Sequence, residues 1–332
     1  MSWKRACSQM ALTAFVVSAV LMSGVGLAQE PTLRAVYNAL SGAMSPIWIG
    51  QEAGLFSKHG VSVELKYLAA TTAVQGMLAG SDDVGLVGNQ GIDAKLEGAE
   101  MVYVATGIPT FVFQLYGQPG INSVSDLKGK VVAVTQPAAS TDYAARIVLQ
   151  RNGLIPDKDV KILYAGNITA LLSAMKSGNA QGGILSAPTS IQARAAGLKV
   201  IVNVTELKIP FLFTGILTLP RVVREKNEEL TRFLRGYIEA IAVLRRSKDI
   251  STRALGKYLK TTDREVLDAV YEDYKNVFPQ VPLMSVAEVK AVLDVVKNPK
   301  ARQQMSPEDF FDNSIVEKIR ASGFIDSLYG KK

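Results

Sequence analysis

The chain has 332 residues, of which 48% are hydrophobic, so it is long enough for about two domains and too apolar to be intrinsically disordered. Its formal net charge is +7 at pH 7, but the basic residues are scattered and aromatic residues are not interleaved with basic clusters. These two features argue against a nucleic-acid partner.

The first 28 residues show the order of parts of a secretory signal peptide. Lys4 and Arg5 precede an apolar segment over 10–22, and small residues around Ala28 follow, so that the exported chain would begin at Gln29. An uncleaved membrane anchor is the alternative, but serines and glycines make this segment a poor spanning helix. We therefore expect an exported protein.

The only cysteine of the chain, Cys7, lies inside this predicted signal. The exported chain then has no thiol, which excludes cysteine nucleophiles, cysteine–zinc sites and iron–sulfur clusters. His59 is the only histidine and falls in a predicted turn, where we expect a solvated surface role. No metal and no cofactor are expected.

Hydrophobic periodicity and turn residues predict alternating strands and helices in the first two thirds of the chain and helices alone in the last third. Ser45 and Pro46 predict the N-cap and first position of a helix that ends at Lys58. The predicted strands cover 33–38, 61–67, 102–107, 111–116, 131–134, 161–164, 199–202 and 212–219, and the predicted helices cover 45–58, 90–97, 140–152, a segment from 188, 228–247, 251–259, 263–277 and 285–296.

A helix-then-strand unit occurs twice, at 71–86 and at 169–184, with a constant offset of 98 residues. In each copy a hydroxyl residue opens an apolar helix, a glycine ends it, and a short buried strand follows. The offset is too long for a solenoid repeat and fits two similar α/β lobes. Two lobes imply a cleft, which is where small ligands bind. The matched positions include Met77 with Met175, Gly80 with Gly178, and Gly85 with Gly183.

We therefore expect an α/β protein of two lobes, with the second lobe inserted between strands of the first. The predicted segments are 1–28 for the signal peptide, 29–115 for the first part of lobe 1, 116–212 for lobe 2, and 213–332 for the rest of lobe 1 with the C-terminal helices. Two connecting strands would make a stiff hinge suited to closure around a ligand.

The run from Ser45 to Phe56, in which a helix ends with Glu-x-Gly-Leu-Phe, resembles the periplasmic substrate-binding proteins of ABC importers. The resemblance is to their nitrate/sulfonate/taurine branch, which also includes binders of thiamine-pyrimidine precursors. Similar motifs occur at 80–85, 123–134 and 140–143, and together they cover most of 31–220. The resemblance implies a two-lobed type II fold (the "Venus flytrap"), a small-molecule ligand in the cleft, ABC permease subunits as partners, and a monomer.

The sequence departs from this family at two places. Gln181 stands where the second lobe often carries Asp, and 137–139 replaces a glycine-rich run. In addition, no arginine stands at an obvious cleft loop, which argues against a tightly held sulfonate or nitrate. Hydroxyl and amide groups with nearby aromatic residues favour a small organic acid or a heteroaromatic ligand.

In open parallel sheets, ligands bind beyond the carboxyl ends of strands, where helix N-termini hold anions or carbonyl oxygens. This rule selects the loops 41–48, 70–72, 88–90, 140–143 and 186–188. The alternative roles are helix capping for Ser45, Thr71 and Ser140, and packing for Trp48 and Tyr143. The predicted ligand-binding residues are Ser41, Met44, Trp48, Thr71, Thr72, Asn89, Gln90, Ser140, Thr141, Tyr143 and Ala187.

Two other functions compete with ligand capture. An enzyme of the related thiamine-pyrimidine synthase type would use a cysteine-rich motif and histidines, which the exported chain lacks apart from His59. No Gly-x-Ser-x-Gly, P-loop or His-Glu-x-x-His motif occurs either. A sensory ligand-binding module cannot be distinguished from an importer component by sequence. We expect a solute-binding protein that is not an enzyme.

Overall fold

The computed structural model describes residues 30–294 and 305–330. The predicted signal peptide and the end of the helix predicted over 285–296 lie outside these described residues. None of the helices in the described ranges is both long enough and apolar enough to cross a membrane.

Ten strands and fourteen α-helices are present in the described residues. The strands are β1 Thr32–Tyr37, β2 Ser62–Tyr67, β3 Val84–Val87, β4 Val102–Thr110, β5 Gln114–Gly117, β6 Val131–Val134, β7 Lys161–Tyr164, β8 Gly182–Leu185, β9 Lys199–Asn203 and β10 Pro210–Thr218. The helices are α1 Ser45–Glu52, α2 Leu55–Lys58, α3 Ala70–Leu78, α4 Gln90–Leu96, α5 Ser140–Arg151, α6 Ile168–Lys176, α7 Thr189–Ala195, α8 Pro220–Glu225, α9 Asn227–Arg246, α10 Lys248–Leu259, α11 Arg264–Tyr274, α12 Val286–Leu293, α13 Ser314–Ala321 and α14 Phe324–Leu328.

The strands form two five-stranded sheets of the same design. The first has the order β2-β1-β3-β10-β4 and the second the order β7-β6-β8-β5-β9. In each sheet the first three strands are parallel, and the fourth strand is antiparallel to both of its neighbours. Each sheet with its helices is one lobe, so the protein has the two-lobed α/β architecture that the sequence predicts. We call them the first and second lobes.

The sequence repeat corresponds to equivalent elements of the two lobes. Helices α3 and α6, and strands β3 and β8, begin and end at positions that differ by the predicted 98 residues. The strand glycines allow the helix to approach the sheet closely. A Cβ atom on Gly183 would lie 2.4 Å from the sulfur of Met175, and one on Gly85 would lie 2.7 Å from Val36 and 3.4 Å from Met77.

The chain passes between the lobes twice, over 111–113 and over 204–209, since β4 and β10 belong to the first sheet and β5 and β9 to the second. Aromatic rings link the two passages. Phe111 stacks on Phe211 with ring centroids 4.1 Å apart, and Phe113 meets Phe213 edge-on at 4.8 Å. The lobe limits proposed at 115/116 and 212/213 stay predictions, because the strands of a sheet do not alone delimit a lobe.

The C-terminal helices cover the first lobe, as predicted. Helix α9 packs on α1 and α2, where Phe233 stacks on Phe56 at 4.9 Å. Helix α12 packs on β10, and Glu288 accepts a 2.6 Å hydrogen bond from the hydroxyl of Thr106 on β4. Helix α11 lies against a 3₁₀ turn, Gly42–Met44, at the start of α1.

Several local predictions are wrong. The helix predicted over 45–58 is interrupted at Gly54, whose φ of 65° is left-handed and separates α1 from α2. Ser45 is not a cap, because the 3₁₀ turn precedes it and its hydroxyl donates to the carbonyl of Gly42 at 2.5 Å. Ser140 is the first residue of α5, and Ala139 holds the N-cap position.

His59 does not have the solvated surface role that we expected. Its Nε2 lies 2.8 Å from a carboxylate oxygen of Glu239, and only 13% of its side chain is exposed. The ring also meets Phe324 edge-on at 5.3 Å. Glu239 lies on α9 and Phe324 on α14. Both partners of His59 are therefore distant from it in the sequence.

Candidate functional site

A cavity of about 790 Å³ lies between the two lobes. Loops at the carboxyl ends of strands supply most of its wall. From the first lobe it is lined by Asn38, Ala39, Leu40, Ser41, Ala43, Met44, Tyr67, Ala69, Ala70, Gly88, Gln90, Phe213 and Thr214. From the segment between the lobes and from the second lobe it is lined by Phe113, Thr135, Gln136, Ala139, Ser140, Thr141, Gly166, Asn167, Ile168, Thr169, Ala170, Ser173 and Ser186.

None of these lining residues carries a formal charge. The polarity of the wall therefore comes from hydroxyl groups, side-chain amides and the peptide backbone. Helices α3, α5 and α6 all begin at the cavity, so the partial positive charge of three helix N-termini faces the same space. Such an arrangement can hold an anionic or carbonyl oxygen without a cationic side chain.

Two of these helix starts lack a side-chain cap. The N-cap residues are Ala69 for α3 and Ala139 for α5, and neither offers a hydrogen-bonding side chain. By contrast, the N-cap of α6 is Asn167, whose side chain accepts a 2.9 Å hydrogen bond from the backbone N–H of Ala170. The first N–H groups of a helix have no acceptor within the helix. The starts of α3 and α5 can therefore donate to a ligand.

Aromatic and amide side chains complete the wall. Tyr67, Phe113 and Phe213 offer rings, and the Tyr67 residue as a whole is 42% exposed. Gln90 lies at the start of α4, and its Oε1 is buried with no hydrogen-bond partner among the described residues. A flat ligand with a hydrogen-bond donor would suit these groups.

The structure brings five of the eleven predicted ligand-binding residues to the cavity. Thr71 and Thr72 are not among them, because α3 begins at Ala70 and its first turn directs both threonines to solvent. Ala69 and Ala70 line the cavity in their place. The predicted residues that do line it are Ser41, Met44, Gln90, Ser140 and Thr141.

Trp48 is fully buried in the first lobe. Its indole is stacked on the ring of Tyr258 from α10 at 5.1 Å and meets Tyr37 edge-on at 5.5 Å. The structure thus gives Trp48 the packing role that we considered as the alternative. Ala187 lines a second, smaller cavity of about 120 Å³, which shares Ser186 and Phe113 with the larger one.

Asn89 and Tyr143 join the lobes directly. The side-chain amide of Asn89 donates to the carbonyl of Ala138 at 2.9 Å, and its oxygen accepts from the hydroxyl of Ser140 at 3.3 Å. The hydroxyl of Tyr143 donates to Asp93 at 3.4 Å. Neither Asn89 nor Tyr143 lines the cavity, so the structure places both in a contact between lobes at its edge.

The environment of Asp93 in this contact is unusual for a carboxyl group. Burial raises its pKa to about 7, and the nearby charge of Glu97 adds to the effect. The hydrogen bonds from Tyr143 and Asn89 lower the pKa, but they do not outweigh burial. Asp93 can therefore change charge near neutral pH.

The sequence prediction missed several lining residues. Three of them follow the end of a strand: Asn38 comes directly after β1, Thr135 directly after β6, and Asn167 three residues after β7. Phe213 belongs to β10 and depends on how the chain returns to the first lobe. Ligands bind beyond the carboxyl ends of strands, and we applied this rule to five loops only. Applied to every predicted strand, it would also have selected Asn38, Thr135 and Asn167.

No group of three or more His, Cys, Asp or Glu side chains in residues 30–294 and 305–330 is placed to hold a metal ion.

Comparison with known proteins identifies the family. Residues 42–247, more than half of the chain, match the sequence family described as NMT1/THI5 like. The chain belongs to the NMT1/THI5-like family. This family and the fold agree with the resemblance found in the sequence motifs, and that prediction is confirmed.

The relatives of this NMT1/THI5-like chain are distant. A putative binding protein of Brucella abortus is 26% identical over an alignment of 249 residues, and the match covers 72% of this chain and 73% of the relative. A putative ABC transporter periplasmic binding protein of Brachyspira hyodysenteriae is 21% identical over 203 residues, 61% of this chain and 55% of the relative.

A solved structure has the same fold. The periplasmic aliphatic sulphonate binding protein SsuA of Escherichia coli superimposes with a TM-score of 0.68. The match covers 84% of this chain and 98% of that protein, at 20% sequence identity.

Proposed function

We propose that this NMT1/THI5-like protein captures a small organic molecule between its two lobes and delivers it unchanged to the permease of an ABC importer. The observation that carries the proposal is a cavity walled by both lobes and faced by three helix N-termini. Closure of the lobes on a ligand would create a surface that a permease can distinguish from the open form.

The uncharged wall restricts the class of ligand. A bare inorganic anion gains much of its binding energy from arginine or lysine, and no lining residue supplies either. Helix N-termini can hold one oxyanion or carbonyl group, while Tyr67, Phe113 and Phe213 offer apolar faces to the rest of the molecule. The ligand is therefore a small organic anion or a heteroaromatic compound.

Capture is favoured over catalysis by the same wall. It contains no carboxylate, histidine, lysine or cysteine that could act as a general acid, general base or nucleophile. The related proteins named above are called binding proteins, which agrees with this assignment. We further propose that the protein is periplasmic and monomeric, with a signal peptide over 1–28 and lobe limits near 115/116 and 212/213.

A thermal-shift experiment on residues 29–332 tests the proposal. The probes are ethanesulfonate, benzoate, nitrate and 4-aminopyrimidine, one for each candidate class. A ligand that binds only the folded protein raises the melting temperature in proportion to ln(1 + [L]/Kd). We expect a concentration-dependent rise with benzoate, ethanesulfonate or 4-aminopyrimidine and none with nitrate. Conversion of a probe into product would contradict the proposal.

A substitution at a helix start separates specific from incidental binding. Ala139→Asp places a carboxylate at the N-cap of α5, where Asp is a favoured residue, so the fold should tolerate it. The new carboxylate would occupy the N–H groups and repel an anionic probe, and the thermal shift with that probe should disappear. Ala196→Asp, an exposed position at the end of α7, is the matched control and should leave the shift unchanged.

A further inference from the structure

Among the described residues that line the larger cavity, Gln90 alone has a buried polar atom without a partner. Its Oε1 is shielded from solvent and accepts no hydrogen bond in the part of the chain that the structure describes. Two other amide side chains of the wall, Asn38 and Gln136, also form no hydrogen bond within the described residues, but their polar atoms remain open to water. Water can therefore satisfy Asn38 and Gln136, whereas the oxygen of Gln90 needs another partner.

The amide of Gln90 lies over Gly88, where the lack of a side chain leaves room for it. A Cβ atom on Gly88 would lie 2.9 Å from Oε1 and 3.4 Å from Nε2 of Gln90. The same Cβ atom would lie 3.3 Å from the carbonyl oxygen of Phe213, which is also a residue of the cavity wall. The amide is therefore held beside an aromatic residue that a planar ligand can contact.

The other end of the amide is accessible from the cavity. Nε2 of Gln90 makes no hydrogen bond within the described residues, and it does not belong to their buried unpaired atoms. Since Gln90 lines the cavity, this NH2 group can donate to a ligand. The last torsion of a glutamine side chain is broad, so the amide can turn and present its oxygen as well. It then offers a donor and an acceptor side by side.

The second lobe has no equivalent of this amide. At the offset of 98 residues that relates the lobes, Gly88 corresponds to Ser186 and Gln90 to Pro188. Ser186 lines the cavity, but a proline side chain has no polar atom. The uncapped start of α5, which can hold an oxyanion, belongs to the second lobe. The two sides of the cavity thus differ in polarity, and a ligand with two different ends would bind in one orientation.

We propose that Gln90 binds an amide-type edge of the ligand, which is a planar group with a hydrogen-bond donor next to an acceptor, such as a carboxamide. This inference rests on the proposed capture function and names the chemical class of ligand within it. A carboxylate at this position would pair with the NH2 group only and leave Oε1 unpaired, because both of its oxygens are acceptors. A carboxamide pairs with both atoms. With its oxyanion at α5, the same ligand bridges the lobes and favours the closed form.

The test compares two probes, benzoate and 4-carbamoylbenzoate, which differ only in a carboxamide opposite the carboxylate. Their Kd values are measured by calorimetry on residues 29–332 of the wild type and of Gln90→Met, since methionine has a similar length but no amide. Loss of an unpaired buried oxygen should not lower the melting temperature of the unliganded variant. We expect the wild type to bind 4-carbamoylbenzoate at least about fivefold more tightly than benzoate, and Gln90→Met to bind both within about twofold.

Two further variants control for the loss of a glutamine. Gln192→Met, at an exposed position on α7, should keep the wild-type preference for 4-carbamoylbenzoate. Gln136→Met removes an amide from the same cavity wall and should keep the preference as well, because water already satisfies this side chain. If Gln136→Met lost the preference and Gln90→Met kept it, the carboxamide would bind Gln136 and the proposal would be wrong.

The outcomes separate the amide subsite from the capture function. Equal binding of the two probes by the wild type overturns the subsite and leaves the capture function standing. The same conclusion follows if Gln90→Met keeps the wild-type preference. If the wild type binds neither probe, the subsite is wrong, and the thermal shifts with ethanesulfonate and 4-aminopyrimidine then decide the capture function alone.

Discussion

The hydroxyl of Tyr143 donates to Oδ1 of Asp93 across 3.4 Å and thereby joins the second lobe to the first. Tyr143 lies in the first turn of α5 and Asp93 in the first turn of α4, so each partner sits where its helix begins at the edge of the cleft. This contact and the neighbouring one made by Asn89 are polar links between the lobes beside the cavity.

The raised pKa of Asp93 predicts a pH dependence of stability. A carboxyl group with a pKa of about 7 in the folded protein and an ordinary value in the unfolded chain binds its proton more tightly when folded. The free energy of unfolding should therefore fall as pH rises from about 4 through 7, by at most about 4 kcal/mol from this group, and level off above about pH 8.

Asp93→Asn removes this titration. Urea unfolding at pH 5 and at pH 8 should show a smaller difference for the variant than for the wild type, with the variant the more stable at pH 8. Asp326→Asn, at an exposed position on α14, is the control and should keep the wild-type profile. An unchanged profile for Asp93→Asn would show that Asp93 ionises as it would in water.

Replacing Asn89 by Ala should loosen the contact between the lobes. The change deletes the donor to the carbonyl of Ala138 and the acceptor for Ser140, at a cost of about 1–3 kcal/mol for groups left unpaired. We expect a larger radius of gyration by small-angle scattering in the unliganded variant, with an unchanged far-ultraviolet circular dichroism spectrum. Asn152→Ala removes a hydrogen bond from a side-chain amide to the carbonyl of Val148, both at the end of α5 in the second lobe, and should not change the radius of gyration.

Asp83 should make the protein sensitive to strong acid. Burial would raise the pKa of Asp83, but hydrogen bonds from Arg34 and Lys226 outweigh it and lower the pKa to about 2. Because the folded pKa lies below the unfolded one, this contribution is present above about pH 4 and is lost as pH falls towards 2. Its size is about 2 kcal/mol.

The corresponding variant is Asp83→Asn. At pH 7 its free energy of unfolding should be about 2 kcal/mol lower than that of the wild type, and the gap should narrow below pH 4. The control is Asp157→Asn, which breaks an ion pair between Arg146 and a carboxylate that is 59% exposed, and it should cost less than about 1 kcal/mol. If the difference in the free energy of unfolding between Asp83→Asn and the wild type stayed constant from pH 7 to pH 2, the lowered pKa of Asp83 would be contradicted.

The repeated glycines predict matched losses in the two lobes. Gly183→Ala would bring a methyl group within 2.4 Å of Met175, and Gly85→Ala would bring one within 2.7 Å of Val36. Overpacking of this kind costs about 1–3 kcal/mol, which chemical denaturation would measure. Ser177→Ala, at an exposed helix end, should be neutral within about 0.5 kcal/mol. Wild-type stability in both glycine variants would mean that the neighbouring side chains of Met175 and Val36 move aside at no cost.

Elements with a strong local signal could be predicted from the sequence. Strands β6 and β7 have the predicted bounds because short apolar runs between turn residues leave no competing assignment. The repeat identified α3 with α6 and β3 with β8, since equivalent packing on a strand glycine selects the same residue types in both lobes. Two lobes and a cleft followed from this repeat.

The details that sequence reasoning missed depend on contacts between distant segments. Trp48 is held in the core by Tyr258, which lies on a helix 200 or more residues away, and no local pattern reports that partner. Asn89 and Tyr143 were predicted at the cleft from strand and helix ends, but their partners come from the opposite lobe. The position of the Tyr274 ring against Gly42 likewise depends on the packing of α11 against the turn before α1.

The neutral wall of the cavity has a consequence for the conditions in which the protein can work. At 0.1 M salt, the attraction between exposed charges is screened beyond about 10 Å. Contacts made by buried hydroxyl groups, amides and aromatic faces are screened much less. A ligand held by such groups would be retained almost equally in dilute and in saline surroundings. The protein would then keep binding its solute as the ionic strength of its surroundings changes.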